Sequence, residues 1–206
     1  MNRLIIVGAS GHGKVIADIA RKNGYTEISF LDDNPLCKNC GEYAVIGRCE
    51  EADRYRDSDF IVAIGNSKIR RKIQTSLMEK NLHVVTLIHP DAVIADSAKI
   101  GVGSVVAAGA VINPYATLGE GCIVNTCSSV DHDCWIGDYV HISVGAHIAG
   151  TVTIGNNTWI CAGVTVSNNI DITADCTIGA GAVVIQNIES SGTYVGVPAK
   201  KNGNLN

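Results

Sequence analysis

Two rhythms of apolar positions run along this chain, and one gives way to the other near residue 85. Before that point short apolar runs alternate with helical spacing. Leu4 to Val7 reads as a buried strand, followed by the glycine-rich turn Gly8-Ala9-Ser10-Gly11-His12-Gly13. From Lys14 to Asn23 the apolar residues Val15, Ile16, Ile19 and Ala20 predict an amphipathic helix that stops at Gly24. Ile28 to Leu31 predicts a second strand, closing on Asp32-Asp33-Asn34-Pro35. Phe60 to Ile64 predicts a third, followed by Gly65-Asn66, with Ser67 capping a helix that runs through Glu79. Strand and helix in alternation specify a small parallel α/β unit.

Beyond residue 85 the period becomes six. Every sixth residue from Ile88 is aliphatic: Ile94, Ile100, Val106, Ile112, Leu118 and so on to Val184, without a break. The position two residues earlier is mostly small, as at Ala92, Ala98, Ser104, Ala110, Ala116 and Cys122. Gly101, Gly119, Gly137 and Gly155 add a longer period of 18. A helix cannot hold such a pattern on one face, because six residues walk around a turn of about 3.6. A parallel β-helix of triangular cross-section can: each hexad is one short strand and one corner, and three hexads close a coil. At a strand spacing of about 4.8 Å, five to six coils would stack into a prism roughly 25 Å long.

Composition narrows the choice of function. Sixteen Lys+Arg against 20 Asp+Glu give a net charge of −4 with no basic run, so the footprint of a nucleic-acid or anionic-lipid partner is missing. No apolar stretch approaches 18 residues, and the N-terminal run breaks into glycines too early for a secretory leader. Eight cysteines without an export signal predict reduced thiols and a cytoplasmic location.

The segments GASGHGKV, LDD, AIGN, NTCSSVDHD, VGAHIAG and GVPAK, in this order, resemble the bacterial nucleotide-sugar acetyltransferases of the PglD and NeuD type. The resemblance implies a Rossmann-like nucleotide-sugar-binding domain over 1–85. It further implies a left-handed parallel β-helix of hexapeptide repeats over 86–206, with a C-terminal tail. It implies transfer of acetyl from acetyl-CoA to the 4-amino group of a nucleotide-linked 4-amino-4,6-dideoxy sugar, by a homotrimer with sites between subunits and with no metal. Outer-face residues Val102, Val111, Ile123, Trp135 and Trp159 are candidates for that interface. Three alternatives stand beside it: sugar O-acetylation as in the sialic acid branch, a trimeric β-helix zinc carbonic anhydrase, and a non-catalytic nucleotide-sugar sensor.

The chemistry centres on His132. It follows the inward Val130 by two residues, and amide formation needs an acceptor for the amine's proton, a task suited to an imidazole. In the family the base is followed by an acidic residue, usually Glu; here Asp133 stands in that place. The resemblance assigns acetyl-CoA contacts to His141, Gly150, Ala162 and Ala180, and nucleotide-sugar contacts to Ser10, Gly11, His12, Asp32, Asp33 and Gly65. A glycine-rich turn that opens a helix can cradle phosphate through backbone N–H groups. Gly150 has a second reading as a corner glycine, Lys200 and Lys201 could meet CoA phosphates, and Cys37 and Cys40 form a single CxxC, a weak zinc signal. Cys127, near His132, is set aside as an acyl-enzyme nucleophile because the resembling enzymes transfer acetyl directly.

Overall fold

A computed structural model describes residues 2–203, so part of the expected tail, residues 204–206, lies outside the described residues. The chain divides into two compact units, Met1–Pro90 and Asp91–Asn206. The segment just before Pro90 is tied to the first helix. Asn23 Nδ2 donates to the Ile88 carbonyl at 2.9 Å, and Lys22 Nζ lies 3.1 Å from His89 Nε2.

The N-terminal unit is built on β1 (Arg3–Val7), α1 (Gly11–Lys22), β2 (Glu27–Leu31), β3 (Asn39–Cys40), β4 (Tyr43–Gly47), β5 (Asp59–Val62), α2 (Ser67–Glu79) and β6 (His83–Val84). The sheet order is β3-β4-β2-β1-β5-β6, parallel except for the β3–β4 hairpin. The chain runs outward from β1 in both directions, so a switch point opens between β1 and β5 at their carboxyl ends. Open α/β sheets bind ligands there. Leu4 to Val7 and Phe60 to Val62 are at most 1% exposed, as expected of strands covered on both sides.

Two local expectations needed revision. Helix α1 starts at Gly11, three residues before the predicted start at Lys14, and includes Gly13. A Cβ at Gly13 would stand 2.5 Å from the Gly8 carbonyl oxygen and 2.8 Å from the Phe30 ring, so close packing of helix on strand requires glycine despite its poor helix propensity. The cap of α2 is Asn66, whose side chain accepts from the Ile69 N–H, and Ser67 is already the first helical residue. The hairpin, the short β6 and the 3-10 turn Cys49–Tyr55 lack the length or periodicity that would announce them.

The second unit is the expected prism. Face I stacks Val93–Ile94, Val111–Ile112, Ser129–Val130, His147–Ile148, Thr165–Val166 and Val183–Val184. Face II stacks Lys99–Ile100, Thr117–Leu118, Trp135–Ile136, Thr153–Ile154 and Asp171–Ile172. Face III includes Val105–Val106, Ile123–Val124, His141–Ile142, Trp159–Ile160 and Cys176–Ile178. All these neighbours pair in parallel, 18 residues apart wherever registers run straight through. From Val106 to Val184 each aliphatic hexad residue is no more than 2% exposed, so the prism is filled by its own repeat.

Each corner contains one residue in the left-handed region, again with a period of six, from Gly103 to Gly181. The side chain at this position differs among the three corners. Between faces III and I it is Gly109, Cys127, Gly145, Gly163 and Gly181. Between II and III it is Gly103, Gly121, Tyr139, Asn157 and Asp175. Between I and II it is Tyr115, Asp133, Thr151 and Asn169, with no glycine. A non-glycine residue there costs roughly 1–2 kcal/mol, most for β-branched or bulky side chains. The glycines at 18-residue spacing serve another purpose: a Cβ at Gly101 would lie 2.5 Å from the carbonyl of Gly119 in the next coil.

Candidate active site

His132 sits at the I/II corner, between the strands Ser129–Val130 and Trp135–Ile136. Its Nδ1 is 2.8 Å from Asp133 Oδ2. A carboxylate only accepts, so Nδ1 carries the proton and Nε2 keeps its lone pair free to receive one. The shorter acidic side chain reaches the ring from a left-handed backbone position, with φ of 57° at Asp133. The hydrogen bond that the ring donates to Asp133 raises the pKa of His132 above the usual 6.5, with the charges of Asp131 and Asp133 adding to it.

Asp131 is a site residue that the sequence reading missed. Its Oδ1 accepts from the His132 backbone N–H and from Asn113 Nδ2, each at 2.8 Å, and these bonds hold its carboxyl below its ordinary pKa. Its one legible signal was adjacency to the histidine.

Gly150 lies one coil above His132. A Cβ on it would be 2.6 Å from both Cε1 and Nε2 of the imidazole. Its φ is not left-handed, so the glycine is there for space and not for backbone angle, which corrects its corner-glycine reading. The ring therefore lies with its Nε2 edge on a bare stretch of main chain, and the Gly150 N–H makes no hydrogen bond among the described residues. The next residue, Thr151, donates its N–H to the His132 carbonyl at 2.9 Å and fixes the height of the coil above.

The other acetyl-CoA candidates lie elsewhere on the prism. His141 is on face III, its ring stacked on Trp159 with centroids 5.7 Å apart and planes 8° from parallel; Trp159 is anchored by a 2.8 Å bond from its Nε1 to Ser143 Oγ. Ala162 and Ala180 are exposed and stacked one coil apart at the III/I corner, where Gly181 N–H donates to the Ala162 carbonyl at 2.9 Å. One prism thus groups His132, Asp133 and Gly150 at one corner and places His141, Ala162 and Ala180 across other faces. Lys200 and Lys201 are not a loose tail: they form a strand antiparallel to Gly192–Val195, and Lys201 Nζ donates to Ser190 Oγ. Of the proposed outer apolar residues, Trp135 and Trp159 are about half exposed, but Ile123 is buried within the chain at 1% and offers no free surface.

The nucleotide-sugar candidates converge at the carboxyl ends of β1, β2 and β5. Ser10 precedes α1 as an exposed cap whose hydroxyl makes no capping bond, with Gly11 and His12 in the first turn. Asp32 accepts from the Ala9 N–H at 2.7 Å and from the Asn34 N–H at 2.9 Å, tying the glycine-rich turn to the loop after β2. Asp33 accepts from the Cys49 N–H at 3.0 Å. Gly65 is exposed, and its carbonyl is held by the buried Arg70, whose Nη1 also donates to the Ile64 carbonyl. Burial first, and the charge of Arg70 second, lower the pKa of His12 to about 4, so its ring is neutral at pH 7. A cavity of about 320 Å³ opens beside Asp32, between Asn34, Lys38, Val45, Ile46 and Arg48. A larger groove of about 630 Å³, between α1 and the hairpin, is lined by the Arg21–Glu42 ion pair and contains none of the nucleotide-sugar candidates. Cys37 and Cys40 point their sulfurs at the carbonyls of Ala9 and Ser10. Among the described residues no group of three His, Cys, Asp or Glu side chains could hold a metal ion.

Comparison with known proteins agrees in both units. Residues 3–77 match the family described as the PglD N-terminal domain. The acetyltransferase domain of PglB from Neisseria gonorrhoeae is 40% identical, with 98% of this chain and 100% of that one covered and a TM-score of 0.94; it has also been solved with acetyl coenzyme A. The chain belongs to the PglD-type hexapeptide-repeat acetyltransferases. The prism is accordingly a left-handed β-helix. PerB from Caulobacter crescentus, solved with CoA and GDP-perosamine, is 33% identical at a TM-score of 0.93, covering 98% of this chain and 97% of its own. Among curated relatives, the UDP-N-acetylbacillosamine N-acetyltransferase of Bacillus subtilis is 35% identical over 113 residues. That match spans about half of either chain, 52% of each.

Proposed function

We propose that this PglD-type protein transfers the acetyl group of acetyl-CoA to the amino group of a nucleotide-linked amino sugar, a 4-amino-4,6-dideoxy sugar. The observation that carries the reading is the His132–Asp133 pair, set with its free Nε2 over the main chain of Gly150. His132 Nε2 takes a proton from the attacking nitrogen as the new C–N bond forms, and Asp133 stabilises the imidazolium. The Gly150 N–H donates to the thioester oxygen as negative charge develops on it. The C–S bond then breaks, and the CoA thiolate leaves with a proton returned from the imidazolium.

His141, Ala162 and Ala180 would line acetyl-CoA. Because one prism holds them away from the His132 corner, the reading calls for a second copy, and a cyclic trimer supplies three equal clefts. Half-exposed Trp135 and Trp159 support such an interface. In the N-terminal unit the nucleotide would lie on the turn from Ser10 to His12, with Asp32, Asp33 and Gly65 around it. All eight cysteines are free, and no described helix is long and apolar enough to cross a membrane, which supports a cytoplasmic location.

The test is thiol release from acetyl-CoA with a panel of nucleotide-linked amino and hydroxy sugars, with products identified by mass spectrometry. Acetylation of an amino sugar is expected. Acetylation of hydroxy sugars alone would replace this reading with O-transfer, and no thiol release with any acceptor would leave a binding protein. Light scattering should give three times the chain mass; a monomer would remove the shared cleft.

A further inference from the structure

The I/II corner, alone among the three, has no glycine at its left-handed positions. Elsewhere the prism shows that glycine serves the turn well, at Gly109, Gly145, Gly163 and Gly181. Backbone strain that a cheaper residue would relieve persists where its side chain has a use. Asp133 has one, since it holds the base. Tyr115 lies directly below it, one coil toward the N-terminus in the same column, at φ of 63°. Its backbone N–H is fixed by Ser97 Oγ at 3.1 Å, the residue is 69% exposed, and its hydroxyl has no hydrogen-bond partner among the described residues. Neither packing nor hydrogen bonding within the chain accounts for a strained, exposed aromatic ring at this place.

We infer that Tyr115 is a specificity-determining residue that receives the acceptor sugar beside His132. The inference rests on the acetyltransferase reading above. Gly150, the proposed thioester contact, lies in the coil above His132. Tyr115 stands in the coil below His132, on the side away from Gly150, next to the corner that an acceptor amine must reach. A phenol ring suits a deoxy sugar: the ring face packs against C–H groups and the C6 methyl, and the hydroxyl bonds a sugar oxygen.

The decisive comparison is Tyr115→Gly against Tyr115→Phe, with Cys127→Gly as a control at a different left-handed corner. Tyr115→Gly relieves strain, so its Tm should equal or exceed that of the parent, with trimer mass unchanged. Its KM for the nucleotide-linked amino sugar should rise about tenfold, and its KM for acetyl-CoA should stay the same. Tyr115→Phe should restore most of the loss, and Cys127→Gly should gain stability with neither KM altered. An unchanged sugar KM in Tyr115→Gly would overturn the inference, as would a lowered Tm or a lost trimer, which would mark a structural role. If the parent acetylates no amino sugar at all, the functional reading itself has failed, an outcome visible before any variant is made.

Discussion

In the N-terminal unit the glycine-rich turn, Asp32 and Gly65 each occur once, whereas in the prism the same corner recurs every six residues. That difference decides how each region can be read. A single loop offers no internal reference, so whether Asp32 is there for a ligand or for the loop cannot be judged from the loop alone; the structure shows it already holding two backbone N–H groups. A repeat carries its own control. Every corner performs the same backbone task, and a corner that departs from glycine, or a coil that must have glycine at position 150, marks a place where something beyond folding is needed.

The largest expected effect breaks the special corner itself. His132→Ala should lower kcat by about 10² to 10⁴, the usual contribution of a general base, while thermal melts stay near the parent because the side chain is exposed. Gly150→Ala should follow. Its Cβ would displace the imidazole, and a shift of about 1 Å in a reacting group can cost on the order of 100-fold in kcat. Gly101→Ala is the contrasting case: its Cβ would meet backbone that cannot yield, so stability should fall and differential scanning calorimetry should register it.

The next effect lies in the other unit. His12 is neutral and half-buried with a pKa near 4, against 6.5 when unfolded, so the unfolded chain binds its proton first on acidification. Stability is therefore full above about pH 6.5 and falls as pH drops toward 4, by on the order of 3 kcal/mol for a shift of that size. Denaturant midpoints followed across this window should lose most of that slope in His12→Gln. The smallest effect separates the two members of the pair at the special corner. His132 must be neutral to act, and Asp133 raises its pKa, so activity climbs with pH through a value above 6.5. Asp133→Asn should move that limb to lower pH and reduce the plateau by about tenfold, through lost ring orientation. A limb that stays in place would detach Asp133 from the base.

Much of this was legible in the residues. The hexad ran unbroken from Ile88 to Val184, and each position from Val106 onward is buried, because a packed prism tolerates little beyond Ile, Val and Leu at a repeated inward site. The strands of the N-terminal unit were legible as apolar runs for the same reason. The β3–β4 hairpin was not, since its strands are short and half exposed, nor was the start of α1, whose glycines disguise a helix end that must lie close to β1 and β2. Arg70 gave no signal, because its value lies in reaching back to the carbonyls of Ile64 and Gly65, a contact no local pattern encodes.

The sequence by itself determined the two rhythms, the inward residues of every coil and the histidine most suited to accept a proton, because periodicity and residue chemistry are local properties. Only the tertiary structure decided which side chains share a corner. Stacking brings residues 18 apart into contact, so Tyr115, Asp133 and Thr151 become one column and Gly150 becomes the bare surface against which the imidazole rests. That arrangement depends on coil closure and register, which are set by the packing of the whole prism and not by any segment within it.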